Sequence, residues 1–95
     1  MTDDQKRIIN GVPGKWLNYE GMKALYPTTQ WRTSGYFLII RKERRQDIEI
    51  PTSYVYLNEY GNCEGSVEHQ GVVWLYEPDQ VLNYIKINGK LAAFK

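Results

Sequence analysis

The most restrictive feature of this sequence is a strict alternation of side-chain type in two short segments, 53–58 (SYVYLN) and 72–76 (VVWLY). Successive side chains of a β-strand point to opposite faces of a sheet, so a period of two is typical of a strand. In the first segment Val55 and Leu57 would share one face, and the tyrosines beside them would share the other. The alternation predicts two strands and a β-rich fold.

Other stretches supply further predicted strands. Segment 36–40 (YFLII) is short and apolar on both faces, which favours a strand that is buried on both sides. We expect the next strand to begin at 47–50, after a charged connection at 41–47. Pro51 then indicates an edge or a bulge, because proline cannot donate to a strand ladder.

The strongest local signal in the chain is Asn88-Gly89, a pair typical of a two-residue type I′ hairpin turn. It predicts a hairpin between strands at 83–87 and 90–94. Segment 63–70 shows no period and is predicted to be a loop.

Two short helices are predicted before the sheet. The first covers 2–10, where Thr2 is a suitable N-cap and Gln5, three residues later, completes a capping box. The second covers 18–26, with Asn18 as its N-cap and a proline directly after it.

These elements predict an α+β fold with one or two short N-terminal helices and an antiparallel meander of about five strands. The sheet would either curl into a small barrel or pack on the helix at 18–26. The chain has 95 residues, which is enough for one domain. We expect 1–15 to be a short helix and linker that is free to move, and 16–95 to form a single β-rich domain.

Charge is distributed unevenly along the chain, although the net charge is only +1. Residues 1–45 contain nine Lys or Arg against four acids, whereas 46–85 contain seven acids and no Lys or Arg. Opposite charges on neighbouring strands are mildly stabilising, so one interpretation is that the two groups pair across the sheet. The other is a polarised surface that steers a charged partner.

Residue types that carry catalysis and metal binding are scarce. Cys63 is the single cysteine and His69 the single histidine, which is too few for a zinc site. A thiol–imidazole pair would lack a third group to orient it, and no glycine-rich phosphate loop is present. The sequence therefore predicts a non-enzymatic protein that uses no metal or cofactor.

Cellular location is predicted from what the sequence lacks. The first fifteen residues do not resemble a signal peptide, and no apolar stretch reaches the length of a membrane helix. A single cysteine is compatible with a reducing compartment. We therefore expect a cytoplasmic protein that makes no membrane contact.

The alternating segments also supply a predicted binding surface. Four aromatic side chains would share one sheet face if the two segments are neighbouring strands: Tyr54, Tyr56, Trp74 and Tyr76. Three acids from the same part of the chain would complete that surface: Glu59, Glu64 and Glu68. Tyr and Trp dominate interface hot spots, whereas the alternative is a structural stripe that the helix at 18–26 covers.

The preferred functional hypothesis is a small protein-binding module that uses this surface on a protein partner with a basic surface. A phage- or mobile-element-type inhibitor of a host protein would fit the size and the charge pattern. Self-association into a homo-oligomer is a further option.

Four cations within five positions define a second predicted surface: Arg41, Lys42, Arg44 and Arg45. At a loop tip they would contact phosphates while tyrosines stack on bases, so a nucleic-acid-binding module is the alternative function. The competing interpretation is a solvated hairpin tip, or an edge that charge keeps soluble. The acidic segment 46–85 opposes binding of a polyanion and makes this alternative the second choice.

Overall fold

The computed structural model describes residues 1–67 and 72–89. Within these ranges the elements are α1 (Asp3–Gly11), β1 (Trp16–Leu17), α2 (Tyr19–Leu25), β2 (Tyr36–Arg45), β3 (Ile48–Leu57), β4 (Cys63–Val67), β5 (Val72–Tyr76) and α3 (Pro78–Asn88). The strands form one antiparallel sheet in the order β1-β2-β3-β4-β5. The predicted α+β fold with an antiparallel meander is confirmed, and in the described part of the chain the sheet is open and not closed into a barrel.

The two N-terminal helices begin where their capping residues predict. The Thr2 hydroxyl accepts from the Gln5 backbone N–H at 3.1 Å, and the Gln5 side chain accepts from the Thr2 N–H at 2.8 Å. The Asn18 side chain accepts from the Gly21 N–H at 3.0 Å at the start of α2. Because these bonds satisfy amides that a first helical turn leaves unpaired, they fix where each helix begins.

β2 extends well beyond the predicted strand, because 41–47 is not a connection. The strand continues to Arg45 and pairs with β3 as far as Ile48, so the predicted charged loop is wrong. The turn consists of Gln46 and Asp47, whose φ angles are 48° and 66°. Positive φ at both central residues matches the twist of the flanking strands in a two-residue hairpin, which is why the ladder continues to the turn.

The distal half of this hairpin forms a two-stranded arm, residues 41–52. The β2–β3 register shifts twice between Ile39 and Lys42, and Pro51 pairs with Lys42 beside the second shift. The predicted bulge near this proline is therefore confirmed. β4 pairs with β3 only from Ser53 onward, so the arm extends past the wider part of the sheet.

Segment 63–67 forms β4, where the sequence predicted a loop. A glycine and a serine interrupt its side-chain pattern, and the strand is identified by its pairing with β3 on one side and β5 on the other. The remaining loop prediction, at 68–70, lies outside the described residues.

The predicted C-terminal hairpin is wrong at its first strand, because α3 occupies 78–88. Gly89 has a φ of 78° and donates its N–H to the Ile85 carbonyl at 2.7 Å, so it is the left-handed C-cap of this helix. The second predicted strand, 90–94, lies outside the described residues.

The sheet carries one apolar cluster on each face. On the face that we call the α1–α3 face, the buried side chains are Ile8, Val12, Leu38, Val55, Leu57, Cys63 and Val81. On the opposite face, the α2 face, they are Met22, Tyr26, Phe37 and Tyr56. The alternation along β3 produces this division, since Val55 and Leu57 point to the first face and the neighbouring tyrosines to the second.

α1 is an integral part of the core and not a detached segment. The Gln5 side-chain amide is buried and donates to the Asn58 carbonyl at 2.9 Å. Gly61, with a φ of 89°, passes so close to the helix that a Cβ there would collide with Asp4. Residues 1–15, which we expected to be free to move, thus supply two fully buried side chains to the α1–α3 face.

Candidate functional site

The four predicted aromatic binding residues do not share one sheet face. β4 lies between the two alternating segments, so they are not neighbouring strands. Tyr76 pairs with Cys63, which pairs with Leu57, and Tyr76 accordingly packs against the cluster on the α1–α3 face. The two tyrosines of β3 lie on the α2 face. Trp74 pairs with Gly65 in the β4–β5 ladder.

Three of the predicted binding residues do meet, at a small pocket of about 190 Å³ that Tyr54, Tyr56 and Glu64 help to line. Trp31 packs edge-to-face on Tyr54, with 5.6 Å between the ring centroids. Tyr56 is only 5% exposed, and its hydroxyl donates to the Ser34 carbonyl at 2.8 Å. Tyr56 is therefore a covered, structural side chain and does not offer an open ring to a partner.

Arg32 closes the outer side of this aromatic pocket. Its guanidinium carbon lies 4.6 Å from the centroid of the Tyr56 ring, and the same guanidinium donates to the Glu64 carboxylate. The hydrogen bond to Glu64 is the main reason why the pKa of Arg32 is raised. The ring face and the carboxylate that would receive a basic group of a partner are thus already bound to this chain's own arginine.

The predicted acidic surface is also reduced by ion pairing within the chain. Glu59 is exposed after β3, Glu64 is paired with Arg32, and Glu68 lies outside the described residues. Three ion pairs join the basic first half to the acidic middle of the sequence: Arg7 with Asp79, Arg32 with Glu64, and Lys42 with Glu49. The uneven charge along the sequence therefore corresponds, at these positions, to pairing within the fold. Only Lys42 and Glu49 lie on neighbouring strands, as the first interpretation expects.

The four predicted phosphate-binding cations are all exposed on β2, three of them with acids nearby. Two of them form ion pairs with acids of the same arm at 3.2 Å: Lys42 with Glu49 and Arg45 with Glu43. Arg44 lies directly opposite Glu49 in the β2–β3 register. Arg41 differs, because no ion pair joins it to an acid among the described residues.

The outer edge of β2 is open over most of its length. β1 pairs with β2 at two positions only, Trp16 with Leu38 and Leu17 with Phe37. Over 39–45 this edge has no ladder partner in the described ranges. Alternate N–H and C=O groups of an edge strand point away from the sheet, where an added strand can bind them.

A groove of about 610 Å³ lies at this open edge, and we call it the β2-edge groove. Its apolar lining comes from Leu17, Leu25, Tyr26, Leu38, Ile39 and Ile40. Three cations complete the lining: Lys15, Arg41 and Lys42. Since side chains from both sheet faces contribute, the groove lies at the edge between the two packed layers and not on one face.

Local sequence explains why this edge is left open. Gly14, with a φ of 139°, brings the chain so close to β2 that a Cβ there would collide with the Leu38 side chain. α2 begins at Tyr19, directly after its cap, so β1 ends after two residues. Two residues cannot display a period, and sequence reasoning therefore missed both β1 and the groove.

The remaining chemical groups offer no second site in the described part of the chain. Cys63 is buried, and desolvation raises the pKa of its thiol to about 12, so it stays protonated at neutral pH. No three His, Cys, Asp or Glu side chains of residues 1–67 and 72–89 are grouped closely enough to hold a metal ion. None of the helices in those ranges combines the length and apolar character that spanning a membrane requires.

Comparisons of this chain with protein-family models, with curated proteins and with solved structures find no match. Its function is therefore inferred from geometry and charge.

Proposed function

We propose that this protein is a non-enzymatic protein-binding module that takes up an extended segment of its partner as an additional strand at the β2-edge groove. One observation carries the proposal. The β2 edge over 39–45 has no ladder partner among the described residues, and its first part borders an apolar groove of about 610 Å³.

Strand addition uses both features of this site. Main-chain hydrogen bonds to an open sheet edge provide affinity, and pockets beside the edge select side chains. A strand rises about 3.3 Å per residue, so the open part of β2 offers roughly 20–25 Å of backbone. At a rise of ~3.3 Å per residue, that length suits a segment of six or seven residues that pairs with β2 beyond the end of β1.

The apolar lining supports an occupant that removes it from water. Leu25, at the end of α2, is 51% exposed although it lines the groove. Covering the exposed half of a leucine side chain contributes roughly 1 kcal/mol to binding. A polypeptide segment with apolar side chains would gain this hydrophobic contribution in addition to its main-chain hydrogen bonds with β2.

The aromatic pocket supports a binding role less well than the groove does. Arg32 and Glu64 bind one another across its opening, and Tyr56 is covered. A basic partner would have to displace Arg32 before it reached either group. The proposed contact surface is therefore the β2-edge groove in place of the aromatic face that the sequence predicts.

Selection from a displayed library of random dodecapeptides on the immobilised full chain tests the proposal. We expect selected peptides to protect alternate backbone amides of 39–45 from hydrogen exchange, measured by NMR. Leu25→Ser should weaken binding about tenfold, equivalent to roughly 1.4 kcal/mol. Leu75→Ser is the matched control, since Leu75 is 60% exposed on β5 and does not line the groove.

Two results would overturn the proposal. One is a selection that yields no binding peptide from the library. The other is a bound peptide that leaves the exchange of the β2 amides unchanged, or that responds equally to Leu25→Ser and Leu75→Ser.

Nucleic-acid binding by the arm is the second candidate function. A two-stranded ribbon fits the major groove of DNA, and the arm carries the predicted cations Arg41, Lys42, Arg44 and Arg45. Two of these cations are already in ion pairs within the arm, so fewer charges remain for phosphates. Fluorescence anisotropy with a duplex oligonucleotide at low salt tests it, and binding would have to fall steeply as salt is added.

A further inference from the structure

We infer that the segment captured at the β2 edge is acidic, with apolar side chains for the groove and carboxylates for its cations. This inference rests on the proposed strand addition and adds the chemistry of the partner to it. It reverses the basic partner that the sequence alone predicts.

The charge of the groove carries the inference. Lys15, Arg41 and Lys42 line it, and none of the other lining residues in the described ranges is acidic. All three cations are exposed. Within the described ranges, Lys15 and Arg41 form no ion pair, whereas Lys42 shares its charge with Glu49 at 3.2 Å. Two cations are therefore free to bind carboxylates of an incoming strand.

Apolar and charged parts of the lining are arranged in order along β2. Leu38, Ile39 and Ile40 come first, next to β1, and the cationic pair Arg41 and Lys42 follows towards the arm. A strand that pairs with this edge would place its side chains beside the same succession. The complementary segment therefore combines apolar residues at one end with Asp or Glu at the other.

A second copy of this chain is a poor occupant of the edge. Pairing of β2 with β2 of another molecule would bring two sets of arginines and lysines from 41–45 together, with Glu43 as the only acid of each set. Like charges directly opposite one another destabilise a strand pair. Electrostatic complementarity thus favours a different, acidic partner over self-association.

Two labelled decapeptides test the inference by fluorescence anisotropy on the full chain. One has Val residues at one end and Glu residues at the other, and in the second peptide Lys replaces every Glu. We expect the acidic peptide to bind at least about tenfold more tightly than the basic one, and its affinity to fall as salt rises. Arg41→Glu and Lys15→Glu should each weaken the acidic peptide about threefold to tenfold, as expected for exposed charges.

Lys86→Glu is the control, because it makes the same charge change on an exposed residue of α3 outside the groove. Equal weakening by Lys86→Glu and Arg41→Glu would show that only net charge matters and would overturn the inference. So would equal binding of the two peptides.

Failure of this inference can be distinguished from failure of the proposed function. If library-selected peptides protect the β2 amides but are neutral or basic, strand addition stands and the acidic chemistry is wrong. If neither decapeptide nor any selected peptide binds, the proposed function fails as well. Salt-sensitive binding of a duplex oligonucleotide in the absence of peptide binding would instead support the nucleic-acid alternative.

Discussion

Cys63 is the residue whose burial has the most direct consequence for solution behaviour. It is 1% exposed on the α1–α3 face, and desolvation raises its thiol pKa from 9.0 to about 12. The folded protein thus holds the thiol proton more tightly than the unfolded chain does. The contribution that this pKa difference makes to the free energy of unfolding is complete below about pH 9 and is lost as pH rises towards about 12.

Urea unfolding of the wild type and of Cys63→Ala checks this expectation. Between about pH 8 and about pH 10 the wild type should lose roughly 1.4 kcal/mol relative to the variant, because the pH then passes about one unit above the unfolded pKa. Because the two proteins differ only at residue 63, the pH effects of their other groups cancel in the comparison. A difference between the two free energies of unfolding that stays constant over this range would contradict the raised pKa.

At the same scale, single residues show how far the candidate site was predictable. Alternation correctly placed Tyr54 and Tyr56 together, since that property is local to one strand. Tyr76 was placed on the wrong face because its orientation depends on β4, an intervening strand without a period. The cover that Arg32 provides was also hidden, since Arg32 lies 32 residues before Glu64, the acid to which it donates.

Among the elements, the turn at 46–47 and the helix end at Gly89 show why local signals misled. Asn-Gly supplies left-handed backbone equally well for a hairpin turn and for a helix C-cap, and in this chain Gly89 caps α3. The actual hairpin turn uses Gln46 and Asp47, which are not typical residues for two positive φ angles. The composition of a turn therefore did not reveal which elements it joins.

The β2–β3 turn provides the element-scale prediction. Non-glycine residues pay a steric cost at positive φ, so Gln46→Asn combined with Asp47→Gly should stabilise the protein by about 1 kcal/mol. Thermal unfolding measures the change as a rise in Tm. Gly89→Ala is the converse control, because a Cβ there meets no atom of residues 1–67 and 72–87 within 4 Å, which leaves the backbone strain at φ 78°. We expect it to lower stability by about 1 kcal/mol.

A lower Tm for the Asn-Gly variant would show that the left-handed turn is not the one the folded chain uses. Because Gln46 and Asp47 lie beyond the binding edge 39–45 and do not line the groove, the variant should bind the acidic decapeptide as the wild type does. This separates the stability of the turn from recognition at the groove.

On the scale of the whole molecule, the fold is a sheet covered on both faces, with one edge open. α1 and α3 cover one face, α2 covers part of the other, and β1 pairs with the β2 edge only at Phe37 and Leu38. The class of fold followed from the alternating and apolar patterns that β2, β3 and β5 carry in their own sequences. The layers and the open edge did not, because they depend on which distant elements pack together.

The packing of α1 leads to the prediction that best tests this architecture. Ile8 is completely buried among residues of the sheet and α3, so Ile8→Ala should cost about 2–4 kcal/mol of the free energy of unfolding. Ile87→Ala is the matched control, since Ile87 is 81% exposed on α3 and should change stability by less than about 0.5 kcal/mol. If α1 belongs to the core, far-UV circular dichroism and tryptophan fluorescence should report the same unfolding transition. Ile8→Ala should then lower the denaturant midpoint measured by both probes. The Trp16 indole, which donates to the Val12 carbonyl at 3.2 Å, reports directly on the chain that joins α1 to the sheet. An Ile8→Ala protein that unfolds at the wild-type denaturant concentration would mean that α1 is a detachable arm, and the sheet would then have to be stable with its α1–α3 face partly uncovered.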